Sequence, residues 1–184
     1  MPPSTQHIRA VTEAYLSRYP HERDGLTPLF TALSGDDDPT SRKTFPTHVT
    51  CSAILLDHDK RILHIHHVAS GKVLAPGGHN EKDDTGLPAA ALRELHEEAG
   101  IPPGAVVAFP EFTDIPFDID VHVIDASPSK GEPEHRHVDF RWLFRLRSEQ
   151  HNVTLQAQEV DGYEWRPFTR AASPTIRAKL ALLP

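Results

Sequence analysis

The sequence is poor in cysteine. Its single thiol, Cys51, excludes an internal disulfide and any zinc site built on several cysteines. No apolar run approaches the ~20 residues that a bilayer-spanning helix needs, so no membrane partner is expected. Basic residues are in the minority, 19 Lys and Arg against 26 Asp and Glu, for a formal charge of −7. Nucleic-acid binding draws most of its affinity from phosphate neutralisation by Lys and Arg, so nucleic acid is an unlikely partner on these counts. No glycine-rich loop ends in Gly-Lys-Ser or Gly-Lys-Thr, which excludes phosphoryl transfer through a P-loop. Residues 1–20 contain neither an apolar core nor a small-residue cleavage site, so the expectation is a cytoplasmic protein without a secretory signal.

What is present fits a globular chain. Of 184 residues, 38% are hydrophobic and 24% charged, enough to bury a sizeable core. Seventeen prolines and thirteen histidines are many, but neither count names a function.

Residues 4–19 read as a helix, with Ser4 as N-cap and Ile8, Val11, Tyr15 and Leu16 at helical spacing. A short helix over Leu26 to Leu33 and a linker, Gly35 to Pro39, follow. Strands are expected over Thr50 to Leu56 and Arg61 to Val68, joined by a turn at Asp57 to Lys60. Ala75-Pro76-Gly77-Gly78 reads as a turn. Leu87 to Ala99 reads as a helix, with Pro88 in its first turn and Gly100 at its end. Two period-two strands run from Ile115 to Val123 and from Val138 to Leu146, separated by a loop over Ala126 to Arg136. A strand over Glu159 to Arg166 and a helix over Pro174 to Leu183 complete the chain. The order is that of an α+β fold, a mixed sheet sandwiched between helices.

The informative segment is Gly77 to Ile101. Glu94, Glu97 and Glu98 stand at i, i+3 and i+4 and share one helix face, while Leu92, Leu95 and Ala99 form a stripe suited to the core. Clustered like charges repel, whereas converging carboxylate oxygens suit Mg²⁺ or Mn²⁺. The glycine turn before the helix lets backbone approach closely and offers a carbonyl.

This segment resembles the Nudix box of the Nudix hydrolase superfamily: Gly, five residues, Glu, seven residues, then Arg-Glu-aliphatic-X-Glu-Glu-X-Gly-aliphatic. Arg93, Glu94, Leu95, Glu97, Glu98, Gly100 and Ile101 match its second half, and Gly78 its first glycine. Fourteen residues separate Gly78 from Arg93 where the pattern has thirteen. The departure reads as one inserted residue, with Asp84 standing in for the first glutamate.

The resemblance implies a Nudix-type α-β-α sandwich over residues 46–184, with residues 1–45 as a helical extension that lies outside the core fold and caps it or helps form a homodimer. It implies a pyrophosphohydrolase that splits the P–O–P bond of a nucleoside diphosphate linked to another group, with Mg²⁺ or Mn²⁺ as cofactor. The metal ligands it implies are Glu94, Glu97, Glu98 and the Gly77 carbonyl. Glu97 and Glu98 are also its catalytic candidates, with Arg93 orienting a glutamate and Glu159 as a distal carboxylate. His79, His137 and Asp139 are the candidates for substrate contact. The remaining histidines fall in runs, His64-Ile65-His66-His67 on one strand, His135 and His137 around the start of another, and His122 on the strand preceding that one. Imidazole suits Zn, Ni and Fe, but the reading taken is strand-surface histidines beside a phosphate pocket.

Two other functions compete. A Nudix-like sensor would bind a nucleotide without turnover, and the shifted Asp84 is its support. Isoprenoid diphosphate isomerisation would lean on a cysteine, and Cys51 is alone in the first strand. The nucleoside and the group attached to it are not encoded in the box.

Overall fold

Every residue of the first strand, β1 (Thr47–Leu56), is buried. The cause is its position: it pairs with three other strands, and both of its faces are covered by other elements. A strand covered on both faces reads as a nearly continuous apolar run, as Ala53-Ile54-Leu55-Leu56 does. The computed structural model describes residues 3–149, 152–171 and 173–183.

The described elements run α1 (Thr5–Arg18), α2 (Thr27–Ala32), β1, β2 (Arg61–His67), β3 (Lys72–Leu74), β4 (Gly77–His79), α3 (Leu87–Ala99), β5 (Val106–Ala108), β6 (Asp118–Ile124), β7 (His135–Leu146), β8 (Val160–Pro167) and α4 (Pro174–Leu180). They form one mixed sheet. Its central path is β3-β2-β1-β7-β5, with β4 on β1, β6 on β7 and β8 on β2. β1 and β7 are parallel, and the other pairs are antiparallel. The expected α+β class and mixed sheet are therefore observed.

Alternation along β1 assigns its side chains to two faces. Val49, Cys51, Ala53 and Leu55 join Val138, Phe140, Trp142 and Phe144 of β7 in a core shared with α1, α2 and α3. Ile54 and Leu56 face the other way, with Leu143, Phe112, Phe117 and, from α4, Ile176 and Leu180. Side chains of the N-terminal helices pack into this core. Ile8, Tyr15 and Leu29 are fully buried in the same cluster as the sheet.

Three strands escaped sequence analysis. β3, β4 and β5 are three residues each, too short to show a period. The Gly77-Gly78 turn is a strand, antiparallel to β1 with Ser52 opposite Gly77 and Cys51 opposite Gly78. β7 begins at His135, three residues before the apolar alternation, because its first residues pair with β1 and β6.

Candidate active site

Helix α3 is fixed at both ends by sequence. Pro88 sits in its first turn, and Gly100 ends it in the left-handed conformation, donating its N–H to His96 O at 2.9 Å. Leu87, Ala90, Ala91, Leu95 and Ala99 face the core, and Leu92 is only half-buried. The helix packs on β1 and β4, which carries the glutamates to the Gly77-Gly78 strand.

Contact there is close. Gly77 donates its backbone N–H to Glu98 Oε2 at 2.9 Å. A Cβ on Gly78 would lie 2.5 Å from Glu94 Oε1, so any side chain here displaces that carboxylate. Arg93 ties the cluster together. Its Nη1 donates to Glu94 Oε1 at 3.0 Å and Glu97 Oε2 at 2.8 Å, and its Nη2 to the carbonyl of His79 at 2.7 Å.

Asp84 is buried and completes that set. Arg93 donates to both of its oxygens, from Nε at 3.1 Å and from Nη2 at 3.3 Å. The Glu81 N–H donates to Asp84 Oδ2 at 2.7 Å. The extra residue in the box is thus absorbed in the loop between β4 and α3, and the carboxylate still reaches the arginine.

Burial pushes the Glu98 carboxyl up to about 8 and that of Glu94 up to about 7. The charge of Glu159 raises both further, so this exposed residue just before β8 acts on the cluster electrostatically. Burial works against the Arg93 charge, but Asp84, Glu94 and Glu97 outweigh it and hold the guanidinium firmly protonated. Glu97 is the exposed member of the helical trio, at 46% of its side chain. One buried and one partly buried carboxyl whose protonated forms burial favours, one exposed carboxylate and a close backbone strand are a hard-oxygen donor set. They fit a divalent cation, whose charge would keep Glu94 and Glu98 ionised.

Of the three residues expected beside the substrate, Asp139 lies in a buried network. It accepts from Ser52 Oγ, Thr50 Oγ1 and Arg141 Nε at 2.7, 3.2 and 3.0 Å. His79 and His137 join a cluster with His48 and His135. Burial and the neighbouring histidines push His79 down to about 4 and His137 to about 2. The strand-surface reading does not hold for His135 and His64, which are 4% and 5% exposed. His64, His66 and His67 sit apart from this cluster on β2. Sequence analysis missed His48, whose signal would have been its alternation with Thr50 and Ser52. Cys51 is fully buried and its thiol is raised well above its ordinary value, chiefly by burial, so it offers no reactive thiolate.

A sequence model of the NUDIX domain matches residues 46–182. The chain belongs to the Nudix family. Among curated proteins, it is 30% identical over 102 residues to a probable DHNTP pyrophosphohydrolase of Lactococcus lactis subsp. cremoris. The match covers 55% of this chain and 56% of that protein, so the chain spans little more than half the length of this relative. Among solved structures, the Ap4A hydrolase of C. elegans superposes with a TM-score of 0.53 at 16% identity, over 72% of this chain and 92% of that one. The E. coli dihydroneopterin triphosphate pyrophosphohydrolase gives 0.52 at 17%, over 72% and 91%. A Nudix family hydrolase from Clostridium perfringens gives 0.52 at 22%, over 74% and 98%. These likenesses establish the Nudix fold. Among the described residues, no helix is long and apolar enough to cross a membrane.

Proposed function

We propose that this Nudix domain is a metal-dependent pyrophosphohydrolase acting on a nucleoside diphosphate linked to a further group. The observation that carries the reading is the intact carboxylate cluster. Glu94, Glu97 and Glu98 gather on one helix face, Arg93 is anchored by Asp84, and Gly77 and Gly78 lie against Glu98 and Glu94. A sensor that never turned its ligand over would have no need for three clustered carboxylates, two of them raised by burial.

Glu94, Glu97, Glu98 and the Gly77 carbonyl would hold Mg²⁺ or Mn²⁺. When bound, the ion supplies positive charge that neutralises the phosphates and acidifies water near neutral pH. The chain's own residues do the rest. Arg93 holds Glu94 and Glu97 in fixed positions and is itself held by Asp84 and the His79 carbonyl. Glu98 is fixed by the Gly77 N–H. The proton of the attacking water passes to a carboxylate that solvent reaches, which Glu97 and Glu159 both are.

The names of similar proteins guide the choice of substrates: dihydroneopterin triphosphate and diadenosine tetraphosphate belong in a panel with nucleoside triphosphates, ADP-ribose and nucleotide sugars. The test is product release over that panel with Mg²⁺, with Mn²⁺ and with chelator. The expected result is turnover of at least one member that needs the metal and yields two phosphorylated products. Binding of a member, seen by thermal shift, without turnover under any metal would overturn the hydrolase reading in favour of a sensor.

A further inference from the structure

One face of the sheet gathers histidines from four strands, apart from the carboxylates of α3. In register, His48 of β1 stands opposite His137 of β7, and His122 of β6 stands opposite His137 on its other side. His135 is two residues earlier on β7, so it projects to the same face. His79 pairs with Thr50, two residues from His48. The four rings of His48, His79, His135 and His137 make contacts with centroids 4.7–5.1 Å apart.

The ring nitrogens are organised. Nε2 of His48 lies 3.2 Å from Nε2 of His79, and Nε2 of His135 lies 3.3 Å from Nε2 of His137. Ligand atoms of His48, His135 and His137 all lie within 4.8 Å of one another. On the outer side, His48 Nδ1 is 3.0 Å from the Thr44 carbonyl and His135 Nδ1 is 2.8 Å from the Pro133 carbonyl. A carbonyl only accepts, so both Nδ1 atoms carry the proton and both Nε2 atoms offer a lone pair, which in the absence of an ion accepts from Nε2 of His79 and of His137. Those lone pairs point into the cluster from side chains 1% and 4% exposed, with the Phe45 ring edge-on to both. An outer Nδ1–H bonded to a carbonyl is the usual support of a metal-bound histidine.

We propose that His48, His135 and His137, whose ligand atoms converge, form a second metal centre with His79, which stands beside His48 Nε2 and moves in as the fourth ligand, selective for Zn²⁺-like ions and distinct from the oxygen-donor site on α3. Zn–N bonds of ~2.0–2.1 Å in a tetrahedron place neighbouring ligand nitrogens about 3.3–3.4 Å apart. Each Nε2 pair already stands close to that edge length, and ion binding draws the two pairs together, His79 with His48 and His135 with His137. Neutral imidazoles suit Zn²⁺ and are poor ligands for Mg²⁺, so the two sites take different ions. With His79 drawn in, four protein ligands leave no open position, and the centre is structural. It clasps β1, β4 and β7 at the strand that presents Gly77 and Gly78 to the glutamates. His79 links the two sites, because its carbonyl accepts from Arg93.

The test is a Co²⁺ titration of the full chain, stripped with chelator and kept in millimolar Mg²⁺. The expected result is one equivalent of Co²⁺ with the visible absorption of tetrahedral cobalt, displaced by one equivalent of Zn²⁺ and accompanied by a higher melting temperature. The double variant Glu97→Gln, Glu98→Gln keeps that absorption. His137→Gln, at a half-buried position, and His135→Ala weaken Co²⁺ binding by at least ~10-fold. Absence of the tetrahedral absorption in the unsubstituted chain overturns the proposal. So does absorption that survives both histidine variants and disappears with the glutamates. If a histidine variant fails to fold, the unsubstituted chain and the glutamate variant decide the matter between them.

Discussion

Gly78 stands where an added methyl group would lie 2.5 Å from a Glu94 oxygen. Gly78→Ala must move that carboxylate, and displacements near an ångström cost about 100-fold in rate. Steady-state kinetics should show this loss in kcat while the circular dichroism spectrum stays unchanged. Glu98 gives a pH signature. Its folded carboxyl titrates at about 8 against an ordinary 4.5, so folding favours the protonated form. That contribution is fully present below pH 4.5 and is lost as pH rises through about 8. Gln cannot ionise and can still accept from Gly77, so metal-free Glu98→Gln should melt above the unsubstituted chain at pH 9, with the gap closing towards pH 4.5. Thermal melts in chelator check it. The glutamates were legible because i, i+3, i+4 spacing needs only a helix. Asp84 was legible in identity but not in role, since only the loop geometry shows that one extra residue leaves its bond to Arg93 intact.

Helix α3 was readable because its signals are local: Pro88, Gly100 and an apolar stripe. Gly100 has a φ of +68°, and a Cβ there would lie 2.8 Å from the Thr154 Cβ. Gly100→Ala should therefore destabilise the fold by about 1–3 kcal/mol, read as a lower denaturation midpoint. The short strands were not readable, because three residues carry no period and β4 is written in turn residues. The histidine cluster was half legible. His122 lies on a strand predicted from alternation, whereas His135 falls in the expected loop and His137 just before the expected strand, and both belong to β7. His48 and His79 join them only through the pairings of β1 with β7 and with β4, which link residues far apart in sequence.

Across the whole molecule, the N-terminal helix is bound to the C-terminal one by a buried charge. Lys179 of α4 donates to Asp118 Oδ1 at 2.7 Å and to the Tyr15 hydroxyl at 2.6 Å, and lies 2.9 Å from Glu22 Oε1. Tyr15 in turn donates to Glu22, and its hydroxyl accepts from the Ile119 N–H. Lys179→Met leaves Asp118 and Glu22 without their ammonium partner. It should cost on the order of 3–5 kcal/mol, measured by chemical denaturation. These joints hold the sheet on which α3 and β4 meet, and the account rests on what happens at that meeting. The most direct measurement is kcat of Glu97→Gln on the best substrate of the panel, at saturating Mg²⁺, beside a melting curve. Glu97 is exposed and holds no part of the core. The expected result is an unchanged melt and a loss of about 100-fold or more. Full activity with excess Mg²⁺ would contradict the assignment of the α3 carboxylates as the catalytic centre.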